Sequence, residues 1–111
     1  QPELVSEITR LTALDLAAEL ASPQPPVVLD VRAPQEWKKQ RLACSRNVPL
    51  NRLREGLAEV PRGQNVVVHC AGGYRSAIAA SLLRQAGFDR VEDLVGGIGA
   101  WQAAQLPVVN S

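Results

Sequence analysis

The sequence predicts a three-layer α/β/α fold built on a five-stranded, mainly parallel sheet. Three observations lead there. Short β-branched apolar runs alternate with helical patterns about five times along the chain. One of those runs, Val27-Val28-Leu29, is wholly apolar, as expected of a strand covered on both faces. The chain has 111 residues, the size of one compact domain, so residues 1–111 are expected to form a single domain.

Each element has its own local reason. Ile8 and its neighbours read as a short edge strand. Thr12 reads as an N-cap, with Asp15 three residues on where a capping-box acid belongs. Ala13, Leu16, Ala17 and Leu20 then recur at i, i+3, i+4 and i+7, one face of a helix. The proline-rich stretch from Ser22 to Pro26 breaks that helix. Val27-Val28-Leu29 is a buried strand, and Pro34 to Lys39 a short helix with proline in its first turn. Asn47-Val48 is a weak strand before Pro49, and Leu50 to Leu57 reads as helical.

Asn65-Val66-Val67-Val68-His69 is the clearest strand. After a glycine-rich loop, Ala79, Leu82, Leu83 and Ala86 mark a buried helix face, with Gly87 at the C′ position. Val91 to Val95 is a last strand and Gly97 to Ala104 a last helix. Gly96 and Gly97 serve backbone geometry before it, while Trp37 and Trp101 fall in helical patterns and are expected to pack the core.

Composition excludes several functions. Twelve basic residues stand against eleven acidic ones, a net charge of +1, so no overall field recruits nucleic acid or an anionic membrane. No apolar stretch approaches the ~20 residues of a membrane span. No apolar segment flanked by positive charge opens the chain, so no signal peptide is expected, and a cytoplasmic location is. A start at Gln1 rather than Met suggests a processed product or a domain from a longer protein. Two cysteines and one histidine, Cys44, Cys70 and His69, do not supply the ligands of a structural zinc site, and no metal is expected.

The chemistry is concentrated in residues 70–76, Cys-Ala-Gly-Gly-Tyr-Arg-Ser, with a strand before and a helix after. Ligands of parallel α/β sheets bind beyond the carboxyl ends of the strands, and strand 65–69 delivers its end into Cys70. Gly72 and Gly73 allow the loop to curl and turn its N–H groups inward. The next helix aims its unpaired donors and partial positive charge at the same point. Arg75 adds a cation, and Ser76 is a natural N-cap. Such surroundings lower a thiol from about 8.5 to ~3.5–7.5, making the thiolate abundant at neutral pH. A cysteine after a strand is often only a small buried apolar residue. Here strand, glycines, arginine and helix start stand in the order a nucleophile requires.

These residues resemble a known family. Val28-Leu29-Asp30-Val31-Arg32 with Pro34, Glu36 and Trp37 is similar to the first signature of the rhodanese domain, and Asn47-Val48-Pro49-Leu50 to the stretch after that signature. Cys70 through Ser76 resembles its active loop. Val95-Gly96-Gly97-Ile98 with Ala100-Trp101 resembles its C-terminal signature. The resemblance implies a rhodanese-like fold and a sulfurtransferase. Cys70 would take the outer sulfur of a sulfane donor as a persulfide and pass it to a thiol or other thiophilic acceptor. Ala71, Gly72, Gly73, Tyr74, Arg75 and Ser76 would hold that sulfur, with no cofactor.

Related folds use a similar loop in phosphatases and arsenate reductases, but with one residue more than the four between Cys70 and Arg75. The tighter ring suits one sulfur atom. A docking module is the alternative of another class, and inactive relatives of that kind typically lack the cysteine present here. A sulfur carrier serving only a protein partner is compatible with every residue named. For the donor, one loop cation and Tyr74 suit glutathione persulfide at least as well as dianionic thiosulfate. The loop also resembles rhodanese domains fused to persulfide dioxygenases, so a fused or partner domain of that kind is an expected associate.

Three other residues raise expectations. The family usually carries Gly-His-Ile where this chain has Gln40, Arg41 and Leu42, and Arg41 is a candidate to pair with Asp30. Asp30 and Arg32 themselves read as polar anchors of the strand end. His69 precedes the nucleophile, but alternate strand residues face opposite ways, so it is expected to be structural and turned from Cys70. Cys44 reads as packing or as a surface thiol, with a resolving role against Cys70 the less expected alternative.

Overall fold

A computed structural model describes residues 9–60, 64–72, 74–88 and 90–110. Its main sheet has five strands, all paired in parallel: β1 (Thr9–Leu11), β2 (Val27–Asp30), β4 (Arg46–Asn47), β5 (Val66–His69) and β6 (Val91–Leu94). Their spatial order is β1-β6-β5-β2-β4, which places β5 at the centre. The predicted α/β class and strand number are borne out. Ile8 lies outside the described residues; the edge strand is described over Thr9–Leu11.

Alternation along the strands divides the core into two layers. Val27, Leu29, Val66, Val68 and Val91 face one side, with Ala79, Ala80 and Leu83 of helix α4 (Tyr74–Gln85) and Leu53 of α3 (Leu53–Gly56). Val28, Val67 and Leu94 face the other, against Ala13 and Leu16 of α1 (Ala13–Leu20) and Ile98 and Trp101 of α5 (Gly97–Ala103). Val66, Val67 and Val68 are fully buried. Each such side chain contributes about 1.5–3 kcal/mol by leaving water.

The helix ends obey their local chemistry. Thr12 caps α1 through a complete capping box with Asp15. α2 (Pro34–Lys39) starts on its proline. α4 closes in a Schellman motif, with Gly87 at φ 100° and the Phe88 and Gly87 N–H groups donating to the Leu83 and Arg84 carbonyls. The segment 50–57, expected as one helix, is broken: 3₁₀ turns at Leu50–Arg52 and Leu57–Glu59 flank α3. The buried face of α4 is also rotated toward Ser76, Ala79, Ala80 and Leu83, leaving Leu82 and Ala86 half-buried. Small residues there let the helix lie close to the sheet.

A second, antiparallel ribbon pairs β3 (Gln40–Arg41) with β7 (Val109–Asn110). It is fastened by side-chain amides, Gln40 Nε2 donating to Asn110 Oδ1 and Gln102 Nε2 to Gln40 Oε1. Trp101 is buried as expected. Trp37 is not a core residue. It is half-buried, its Nε1 donates to Ser45 Oγ, and the Arg41 guanidinium stacks 4.5 Å from its ring centroid. No helix among the described residues is long and apolar enough to cross a membrane.

Candidate active site

The central strand β5 ends in Cys70, whose side chain shares the parity of Val66 and Val68 and so lies on the α4 side of the sheet. Only 1% of the residue is exposed. The thiol stands beneath the first turn of α4, with its Sγ 3.7 Å from the Ser76 hydroxyl.

From the opposite layer, α5 shapes the loop. The Ile98 N–H donates to the Cys70 carbonyl at 2.9 Å, and the Gly99 N–H to the Ala71 carbonyl at 3.3 Å. In a trans peptide the carbonyl and the next N–H point in opposite directions. No peptide among the described residues is cis. Drawing these two carbonyls toward α5 therefore turns the Ala71 and Gly72 N–H groups toward the α4 layer, where the sulfur sits. This device requires Gly97, at φ 58°, because a Cβ there would lie 2.0 Å from the Cys70 carbonyl oxygen.

The loop glycines have a different part from the one expected. Gly72 keeps a negative φ and has open space where a Cβ would stand, so its own conformation does not require glycine. Gly73 lies outside the described residues. Ser76 is not the N-cap. The helix begins at Tyr74, and Ser76, its third residue, is buried with its hydroxyl donating to Asp93 Oδ1 at 2.6 Å. The buried partner on β6 outcompetes the helix amides for that hydroxyl.

Arg75 brings a cation to the site, but a paired one. Its Nη1 and Nη2 donate to Glu36 Oε1 and Oε2 of α2 at 2.7 and 3.2 Å, a bidentate clamp between the two helices. The Arg75 hydrogen bond holds the Glu36 carboxyl below the usual range, and Glu36 in turn raises Arg75, with the Cys70 charge adding a smaller effect. Glu36 Oε1 also accepts the Ala33 N–H, which fixes the carboxylate at the start of α2. Tyr74 is 80% exposed beside the loop.

His69 has the parity of Val67 and points into the α1/α5 layer, away from the sulfur, as expected. It is fully buried, its Nδ1 lies 3.3 Å from the Cys70 carbonyl, and burial lowers its pKa, so it remains neutral at physiological pH. Asp30 is not the partner of Arg41. It accepts from Arg32 through the backbone N–H, Nε and Nη2, and Arg32 Nη2 also donates to the Gln40 carbonyl at 2.6 Å. With Asp30 saturated, Arg41 turns to the Trp37 ring and the Trp37 and Lys38 carbonyls. Cys44 is an exposed free thiol between β3 and β4, and desolvation raises its pKa, the opposite of activation. Among the described residues, no group of three or more His, Cys, Asp or Glu side chains is placed to hold a metal ion.

Glu36 and Asp93 are the site residues that sequence reasoning misses. Glu36 is visible there only as part of a signature, and Asp93 only as one of two acids in the strand Val91–Leu94.

Comparison with known proteins bears on the family and the fold. The rhodanese-like domain family matches residues 12–104. A sulfurtransferase of Allochromatium vinosum is 30% identical over 102 residues, covering 92% of this chain and 95% of that protein. The probable adenylyltransferase/sulfurtransferase MoeZ of Mycobacterium tuberculosis is 33% identical over 99 residues, 87% of this chain but only 25% of MoeZ. A rhodanese-related protein of Thermoplasma volcanium superposes with a TM-score of 0.83 at 37% identity, covering 91% of this chain and 97% of that one.

Proposed function

The chain belongs to the rhodanese-like domain family, and from that premise we propose that it is a sulfurtransferase working through a persulfide on Cys70. One observation carries the reading. The sulfur sits buried at the carboxyl end of the central strand, beneath the first turn of α4, and α5 holds the Cys70 and Ala71 carbonyls so that the N–H groups after them point away from α5. An anion on Cys70 is thereby stabilised before any donor arrives.

The chemistry proceeds in two displacements. The Cys70 thiolate attacks the outer sulfur of a donor R–S–SH, a Cys70–sulfur bond forms, and R–S⁻ leaves with the electron pair of the broken S–S bond. An acceptor thiolate then attacks the terminal sulfur and releases the Cys70 thiolate. Oxidation levels are exchanged between donor and acceptor, so no external oxidant or cofactor enters. Residues 71–76 supply the ring around the transferred sulfur, with Gly73 taken from the sequence alone.

The test is intact-mass measurement after exposure to glutathione persulfide and to thiosulfate. The wild-type chain is expected to gain one sulfur and Cys70→Ser none. No gain with either donor, together with turnover of a phosphoester, would replace this reading by phosphoryl transfer.

The paired state of Arg75 supports a persulfide as the preferred donor. A cation already neutralised by Glu36 has little left for a dianion such as thiosulfate. Glu36→Gln is therefore expected to raise the efficiency ratio of thiosulfate to glutathione persulfide by about two- to fivefold, the scale of a partly exposed ion pair. Steady-state kcat/KM for both donors measures it, and an unchanged ratio would remove Glu36 from donor choice.

A further inference from the structure

A carboxyl group on a central strand, buried below a candidate nucleophile, needs a reason to be there. Asp93 is 4% exposed, on β6, which pairs with β5 so that Asp93 stands beside Val68. It shares the parity of Val91, and so it faces the α4 layer, as Cys70 does. The Ser76 hydroxyl spans the space between them, 2.6 Å from Asp93 Oδ1 and 3.7 Å from Cys70 Sγ. Ser76 is itself fully buried. The shorter distance is that of a charge-assisted O–H···O⁻ bond. Three buried groups from β5, α4 and β6 thus form one file.

We propose that Asp93 accepts the Cys70 thiol proton through the Ser76 hydroxyl. The S–H bond breaks and its electron pair stays on Sγ. The proton passes to Ser76 Oγ as the original Ser76 hydroxyl proton moves to Asp93 Oδ1. Serine ends unchanged but reversed, donating to the new thiolate, and Asp93 ends neutral. No electrons change hands. Asp93 is a positioning and proton-holding residue that never touches the donor. The proposal rests on Cys70 being the nucleophile, and it adds to that reading the destination of the proton.

The surroundings favour a carboxyl that can take a proton. Burial raises the Asp93 pKa; the Ser76 hydrogen bond, Arg10 and His69 oppose that shift less strongly. Arg10 stands opposite it on β1, exposed, and His69 comes from β5, held neutral by its own burial. Arg75 reaches the site from the start of α4 and is paired with Glu36. Glu92, the next acid on the same strand, has the opposite parity and faces α1, so it is not part of the file.

A thiol and a carboxyl sharing one proton titrate as a pair. Fully protonated at low pH, the pair loses a first proton to a state that is partly thiolate. It loses the second only at higher pH, because two anions then compete for one serine hydroxyl. The rate of Cys70 alkylation by iodoacetamide, followed by mass against pH in a Cys44→Ser background so that the exposed second thiol does not contribute, is expected to rise in two steps separated by more than about one pH unit. Asp93→Asn keeps a hydrogen-bonding group for Ser76 but cannot hold the proton. It is expected to give one step lying between the two wild-type midpoints. Ser76→Ala cuts the file and is likewise expected to give one step, and it serves alone if the Asp93 variant does not fold. A single step in the wild type, or two steps retained in either variant, would overturn the proposal. Alkylation needs no sulfur donor. Two steps without any persulfide gain would therefore leave the relay standing and remove sulfur transfer instead.

Discussion

Gly97→Ala is expected to lower stability by about 2–6 kcal/mol and to disarm Cys70 at the same time. Two costs combine. A residue with a Cβ held at φ 58° costs about 1–3 kcal/mol. The added methyl would also stand 2.0 Å from the Cys70 carbonyl oxygen and 2.8 and 2.9 Å from the Cys70 and Ala71 carbonyl carbons. All three are backbone atoms of the central strand end, which cannot swing aside as a side chain tip would. Relieving such an overlap adds about 1–3 kcal/mol.

The functional consequence depends on which atoms must move. Pushing α5 away lengthens the Ile98-to-Cys70 and Gly99-to-Ala71 hydrogen bonds, and those bonds set the direction of the next two amides. Thermal unfolding is expected to show a Tm lower by about 10–25 °C. Iodoacetamide alkylation of Cys70 at neutral pH is expected to slow in the fraction that stays folded. Gly72→Ala is the control, since open space and a negative φ leave it room, and its stability is expected to change by less than about 1 kcal/mol. A Gly97 variant as stable as the Gly72 variant would show that the α5 clamp does not shape the loop.

What is legible in the sequence is what neighbouring residues decide among themselves. Val66 to Val68 read as a buried strand because continuous β-branched runs have few other uses. Thr12 with Asp15, Pro34 and Gly87 mark helix ends because caps act within a turn. The turn of His69 from Cys70 needs only the two-residue period of a strand. Misreadings arise where a residue chooses between a local and a distant partner. Ser76 looks like a cap from its neighbours, and only the fold brings Asp93, seventeen positions on, to claim its hydroxyl. Arg75 looks like a free cation for the same reason, since Glu36 lies 39 positions away. Arg41 is matched to Asp30 in the sequence because nothing local shows that Arg32 already saturates that carboxylate. The β3–β7 ribbon escapes notice because two residues per strand are too few to show a period.

Asp30→Ala is expected to destabilise the fold by about 3–5 kcal/mol, the usual consequence of leaving a buried charge without its counterpart. Asp30 is wholly buried and Arg32 5% exposed. The carboxylate takes the Arg32 backbone N–H and both Nε and Nη2, at 2.7 to 3.1 Å. Without it, the guanidinium keeps the Gln40 carbonyl but loses its three bonds to the carboxylate, and the Arg32 backbone N–H loses the fourth. Against a domain stability of about 5–15 kcal/mol, that is a large fraction. The pair also ties the end of β2 to the β3–β7 ribbon, so loosening is expected to begin there. Adding Arg32→Met removes the stranded charge, and the double variant is expected to recover about half of the loss in chemical denaturation. Losses that simply add would mean that the two side chains do not act as a unit. Asp30 Oδ2 lies 3.8 Å from His69 Nε2, and His69 touches the Cys70 carbonyl from the face opposite the sulfur. The thiol chemistry is therefore expected to change far less than the stability, which separates the anchor of this strand end from the reactive machinery built on its neighbour.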